Sequence, residues 1–117
     1  MQLFTYITKK ESLMTPIVDK LVSKGMKGGT IVDCHGMLTA LESESDNVDA
    51  PPIFGSLKDI IDPEKVSHKM LILLVKDEDI QKVKDVIHEV AGSLKEKSNG
   101  VLFTVPVTNW EGVSHKE

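Results

Sequence analysis

Residues 70–75 read MLILLV and are apolar at every position, which limits the fold more than any other stretch of the chain. Successive side chains of a strand face opposite sides of its sheet, so Leu71, Leu73 and Val75 fall on one face and Met70, Ile72 and Leu74 on the other. Residues 101–107, VLFTVPV, repeat this arrangement, with Val101, Phe103 and Val105 opposite Leu102. Helices can bury only one side of such a layer. The other would be an apolar patch of a size rarely left open on a soluble chain, so the sequence predicts self-association through the uncovered face.

The remaining elements follow from periodicity. Residues 2–8, QLFTYIT, have strand length and β-branched or aromatic content (β1), and KKES ends the pattern. From Ser12, a helical stripe of Leu13, Ile17 and Leu21, widened by Met14, Val18 and Val22, defines α1. Ser12 is its candidate cap, Pro16 falls in the tolerated first turn and Gly25 closes it. Residues 29–37 are expected to form β2 and residues 70–75 β3. Asp77 then caps α2, with Glu78 and Asp79 in the first turn and a stripe of Ile80, Val83, Ile87, Val90 and Leu94, ending near Gly92. Residues 101–107 are β4, whose Pro106 suits a strand end or edge. The order β1-α1-β2-β3-α2-β4 predicts an α+β, ferredoxin-like βαββαβ sandwich: a four-stranded antiparallel sheet with both helices on one face, one domain over residues 1–117.

Residues 39–67, between β2 and β3, are too long to be a mere connector. TALESESDNVDA is acidic, PPIFG is stiff and apolar, and SLKDIIDPEK has the pattern of a helical turn or two. The alternating acids Glu42, Glu44, Asp46 and Asp49 lack the glycine and terminal glutamate of a calcium loop, so the segment reads as a solvated loop. Within it Ile53 and Phe54 either fold back on the domain or form the apolar tip that meets a partner.

Composition narrows the function classes. A net charge of −4 without a basic patch argues against nucleic acid. All 14 basic residues are lysine, so no planar guanidinium is present to clamp phosphate, and any anion must be held by lysine, backbone N–H groups or a helix N-terminus. No apolar run reaches the roughly 18 residues of a membrane span, and MQLFTYITKK does not read as a signal peptide. The expectation is a cytoplasmic protein with no membrane insertion. The one cysteine, Cys34, fits a reducing compartment and reads as a small buried hydrophobe.

The stretch KGGTIVDCHGML, residues 27–38, is the most suggestive for a site. Gly28 and Gly29 precede a strand, whereas a phosphate-cradling glycine loop follows a strand and opens a helix. Adjacent Cys34 and His35 face opposite ways in a strand, so they do not share a metal. His35 with His68 could join a ligand or metal in a cleft between subunits, the alternative being hydrogen-bonded or exposed imidazoles. His88 and His115 read as surface residues, and Gly36 allows the backbone close to a ligand where β2 ends. No serine or cysteine nucleophile with a base partner is visible, so the expectation is no catalytic residue, no resident metal and no enzyme.

The element order, GMKGGTIVDCHGM across the α1-β2 junction, the long loop after β2 and SNGVLFTVPV in β4 together resemble the PII family of nitrogen-regulatory signal-transduction proteins, over nearly the whole chain. This resemblance implies a homotrimer, an adenine nucleotide in each intersubunit cleft, and a partner protein, either a transporter or a metabolic enzyme, engaged through residues 39–67. A transporter would make the partner a membrane protein. The resemblance places Thr30, Gly36 and Met37 at the base and ribose end of the cleft, puts Leu38 where the family has a glycine, and maps the phosphate loop onto Ser98, Asn99, Gly100 and Val101. Ala40 replaces a glutamine, and Gly112 and Ser114 stand near the family's arginines. The phosphate end is therefore degenerate. Each charge-assisted phosphate contact is worth about 1.5 to 3 kcal/mol, so a ligand with less phosphate, AMP or ADP, loses least. Lys69, Lys9 and Lys10, and Lys58 from the loop, are the candidate sources of charge. A second class, the trimeric divalent-cation-tolerance proteins, shares this architecture and would use the histidines and the acidic loop for metal.

Overall fold

Strand β1 (Gln2–Thr8) occupies an inner position of the sheet, and its register defines both faces. The computed structural model describes residues 1–37, 68–95 and 99–113. β1 pairs antiparallel with β3 (His68–Val75) on one side and with β4 (Val101–Pro106) on the other, and β2 (Thr30–Cys34) borders β3, giving the order β2-β3-β1-β4. With α1 (Met14–Ser23) and α2 (Ile80–Ala91), this is the expected α+β, ferredoxin-like fold.

Phe4 lies opposite Leu73 and Thr104, and Tyr6 opposite Leu71 and Leu102. Phe4, Tyr6, Leu71, Leu73 and Val75 merge with Met14, Ile17 and Leu21 of α1 and Val83, Val86 and Ile87 of α2 into one buried cluster. Both helices therefore cover this face. On the other face Leu3 opposes Leu74 and Val105, Thr5 opposes Ile72 and Phe103, and Ile7 opposes Met70 and Val101. Val101, Phe103 and Val105 there remain 59%, 43% and 45% exposed. The doubly apolar strands are thus half covered.

Helix ends depart from the simplest reading. Both helices are entered through a 3-10 turn, Glu11–Leu13 and Asp77–Asp79, and neither N-cap makes a side-chain cap bond. Ser12 lies inside the first turn instead of capping it. Asp77 pairs with the Met1 amine at 3.3 Å, and the cap position of α2 falls to Asp79. The exit of α1 is as expected: Gly25 takes φ +89°, Met26 N–H donates to the Leu21 carbonyl at 2.9 Å and Gly25 N–H to the Val22 carbonyl at 3.0 Å. That pair of bonds satisfies carbonyls the last turn would otherwise leave open.

Contacts divide the chain into two units, Met1–Val32 with Lys69–Glu117, and Asp33–His68. The first carries the core just described. Of the second, residues 33–37 and His68 are described. Among the described residues no helix is long and apolar enough to cross a membrane.

Candidate functional site

In the first unit, chemistry converges on the turn that enters β4. Tyr6 is fully buried in β1, and a buried phenol needs a partner for its hydroxyl. It donates to the main-chain carbonyl of Asn99. Burial raises the Tyr6 pKa above its ordinary value, and a hydrogen bond with Thr8 offsets part of that rise. Asn99 is itself only 5% exposed. Its Nδ2 donates to the Ser93 carbonyl at 2.7 Å, and its Oδ1 accepts from Lys10 Nζ at 2.6 Å.

Gly100 follows at φ +118°, where a Cβ would meet the Ile7 carbonyl oxygen at 2.6 Å and Tyr6 Cε1 at 2.7 Å. Only glycine fits this position. The turn is therefore clamped from three sides: the β1 phenol, a lysine after β1 and the backbone after α2. The Asn99 carboxamide is spent on protein partners.

Elsewhere in this unit Thr30 opens β2 and is exposed. Lys69 pairs with Glu11 at 3.6 Å. The tight entrance to β2 is real at Gly29, whose Cβ would lie 3.2 Å from Leu73 Cδ2, whereas at Gly28 nothing lies within 4 Å.

In the second unit β2 stops at Cys34, three residues before its expected end, so His35, Gly36 and Met37 are outside the ladder. Gly36 and His68 meet: a Cβ on Gly36 would lie 3.0 Å from His68 Nε2 and 3.1 Å from its Cε1. The neighbour closest to Gly36 in this unit is thus an imidazole. His68 is buried, and the His35 Nε2 atom is buried without a hydrogen-bond partner among the described residues. Met37 is 90% exposed. Cys34 is half-buried instead of fully buried as expected; burial raises its pKa, and the Asp33 charge raises it further.

Leu38, Ser98, the loop residues Ile53 and Phe54, and His115 lie outside the described residues. Among the described residues no group of three or more His, Cys, Asp or Glu side chains could hold a metal ion. Sequence reasoning named Lys10 only as one of several charges and Tyr6 only as the tyrosine of β1. The usable signal was a lone tyrosine on the core side of a strand, because its hydroxyl requires an acceptor. Compared with protein-family models and with curated proteins, the chain matches none.

Proposed function

We propose that the chain is a non-enzymatic, PII-like regulatory protein: a homotrimer that takes an adenine nucleotide in clefts between subunits and signals to a partner protein through residues 39–67. The observation that carries this reading is the uncovered face of the sheet. Leu3, Ile7, Met70, Ile72, Leu74, Val101, Phe103 and Val105 share it; the first five are half-buried, and Val101, Phe103 and Val105 on the β4 side are exposed. Burying such a face at about 25 cal/mol per Å² favours association, and copies meeting there create clefts that a single chain lacks. The fold order and the length of the β2-β3 connection support the same reading.

The test has two arms. Light scattering across dilution should return three times the chain mass of 12.9 kDa, and a single-chain mass at every concentration ends the proposal. Thermal shift with adenosine, AMP, ADP and ATP should stabilise the protein by about 2.7 kcal/mol at a hundredfold excess over the dissociation constant. The buried, unpartnered Nε2 of His35 favours a second reading, a trimeric metal-binding protein of the divalent-cation-tolerance type. Copper or zinc titration followed at the imidazole resonances decides it: unmoved histidines dismiss metal.

A further inference from the structure

We propose that Asn99 is a latent modification site: the Asn99–Gly100 pair deamidates only when the turn entering β4 opens, so the reaction records the time a chain has spent unfolded. This goes beyond the regulatory reading and does not depend on it. Asparagine followed by glycine is the arrangement in which the reaction is easiest, because no side chain shields the attacking nitrogen. The Gly100 main-chain nitrogen adds to Cγ of Asn99 and a C–N bond forms. The Cγ–Nδ2 bond breaks, and Nδ2 leaves as ammonia with the proton that the Gly100 nitrogen gave up. Water then opens the succinimide ring, adding at Cγ to give aspartate or at the main-chain carbon to give isoaspartate. Asn47 precedes valine and Asn109 precedes tryptophan, so the sequence ranks Asn99 as the most labile asparagine of the chain.

In the folded chain every group that the reaction must move is held. Nδ2 donates to the Ser93 carbonyl at 2.7 Å, Oδ1 accepts from Lys10 Nζ at 2.6 Å, and the main-chain carbonyl accepts from the Tyr6 hydroxyl. Ring closure turns Cγ onto the Gly100 nitrogen and expels Nδ2, so the Ser93 bond must break. The main-chain carbonyl carbon becomes a ring atom, so the ring also has to form beneath the Tyr6 hydroxyl, beside a Gly100 packed too closely against the Ile7 carbonyl to admit even a Cβ. Asn99 is 5% exposed, which keeps back the water that the second step consumes. One contact works the other way. The Lys10 ammonium draws electrons from the Cγ carbonyl, but that polarisation helps only where the nitrogen can reach the carbon. The products also fit the turn poorly. Isoaspartate lengthens the main chain by a carbon at its tightest point, and aspartate has no Nδ2 to donate to Ser93.

The experiment follows deamidation of the full chain at mildly alkaline pH, native and in guanidinium chloride at one temperature, by peptide mapping with mass spectrometry and enzymatic methylation of isoaspartate. In denaturant Asn99 should react ahead of Asn47 and Asn109. In the native protein it should react at least about a hundredfold more slowly than in denaturant, as for a group exposed only by opening. Tyr6→Phe, which removes the donor to the Asn99 carbonyl, should raise the native rate about tenfold and leave the denatured rate unchanged. Chains carrying isoaspartate, returned to native buffer, should unfold at a lower urea midpoint than unmodified ones. Equal native and denatured rates at Asn99 overturn the proposal, as does an Asn99 that reacts no faster than Asn47 and Asn109 in denaturant. An unchanged native rate in a folded Tyr6→Phe variant overturns the turn as the cause of closure. Should that variant not fold, the native and denatured rates of the unsubstituted chain decide.

Discussion

Gly100 and Gly25 both sit at positive φ, yet their surroundings differ. At Gly100 a methyl group would strike backbone and a buried ring, whereas at Gly25 nothing lies within 4 Å. Gly100→Ala should therefore destabilise by about 3 kcal/mol, combining strain with displacement of β1. Gly25→Ala should lose only about 1 kcal/mol, the left-handed penalty alone. Urea unfolding of the two variants side by side reads the difference, and equal losses would show that the turn at Gly100 yields. Tyr6→Phe leaves the Asn99 carbonyl without its donor and should cost about 1 to 3 kcal/mol. The same residue has an alkaline signature. Its raised pKa means the folded chain holds the phenolic proton more tightly than the unfolded chain. That contribution is complete below the unfolded value of about 10 and is lost as pH climbs toward the folded one. The slope of stability above pH 10 or so should flatten in Tyr6→Phe, and an unchanged slope would assign it to the lysines.

Among the elements, β1, α1 and α2 were legible because their periods are long and uninterrupted, and Val86 merely joined a stripe already evident from Val83 and Ile87. The two helix starts were not. A 3-10 turn uses the same residues as a capped helix, and the competition for Asp77 comes from the distant Met1 amine. The exit of β2 was misread by three residues, since nothing local in CHGM says that an imidazole from residue 68 fills the space beside Gly36. The Asn99 clamp was illegible for the same reason, its tyrosine partner being 93 residues away in sequence. On β4 the alternation was plain, and it supports a sharp test. Phe103→Asp places a charge on the uncovered face, away from the helix-side cluster. It should reduce the scattering mass to that of one chain while far-ultraviolet circular dichroism is retained. A variant that stays assembled would place the contact elsewhere. Ile17→Ala does the opposite: from the fully buried core of α1 it should lower stability by about 2 to 5 kcal/mol with assembly intact at low temperature.

For the molecule as a whole, the proposed reading divides the two sides of one sheet between folding and association, so the variants that damage each should not coincide. The fold class was legible because patterning is a property of the whole chain, whereas a chain whose basic residues are all lysine carries no guanidinium pattern that points to a ligand. The sealing of Tyr6 has a last consequence, for what light reports. The chain has one tyrosine, fully enclosed, and one tryptophan, Trp110, 42% exposed. Indole emission from Trp110 should be red-shifted already in the native protein and change little in colour on denaturation. The tyrosine band of the near-ultraviolet dichroism spectrum, arising from a ring locked against Gly100, should vanish as the core opens. Spectroscopists following this protein by tryptophan alone would watch its rim and miss its centre.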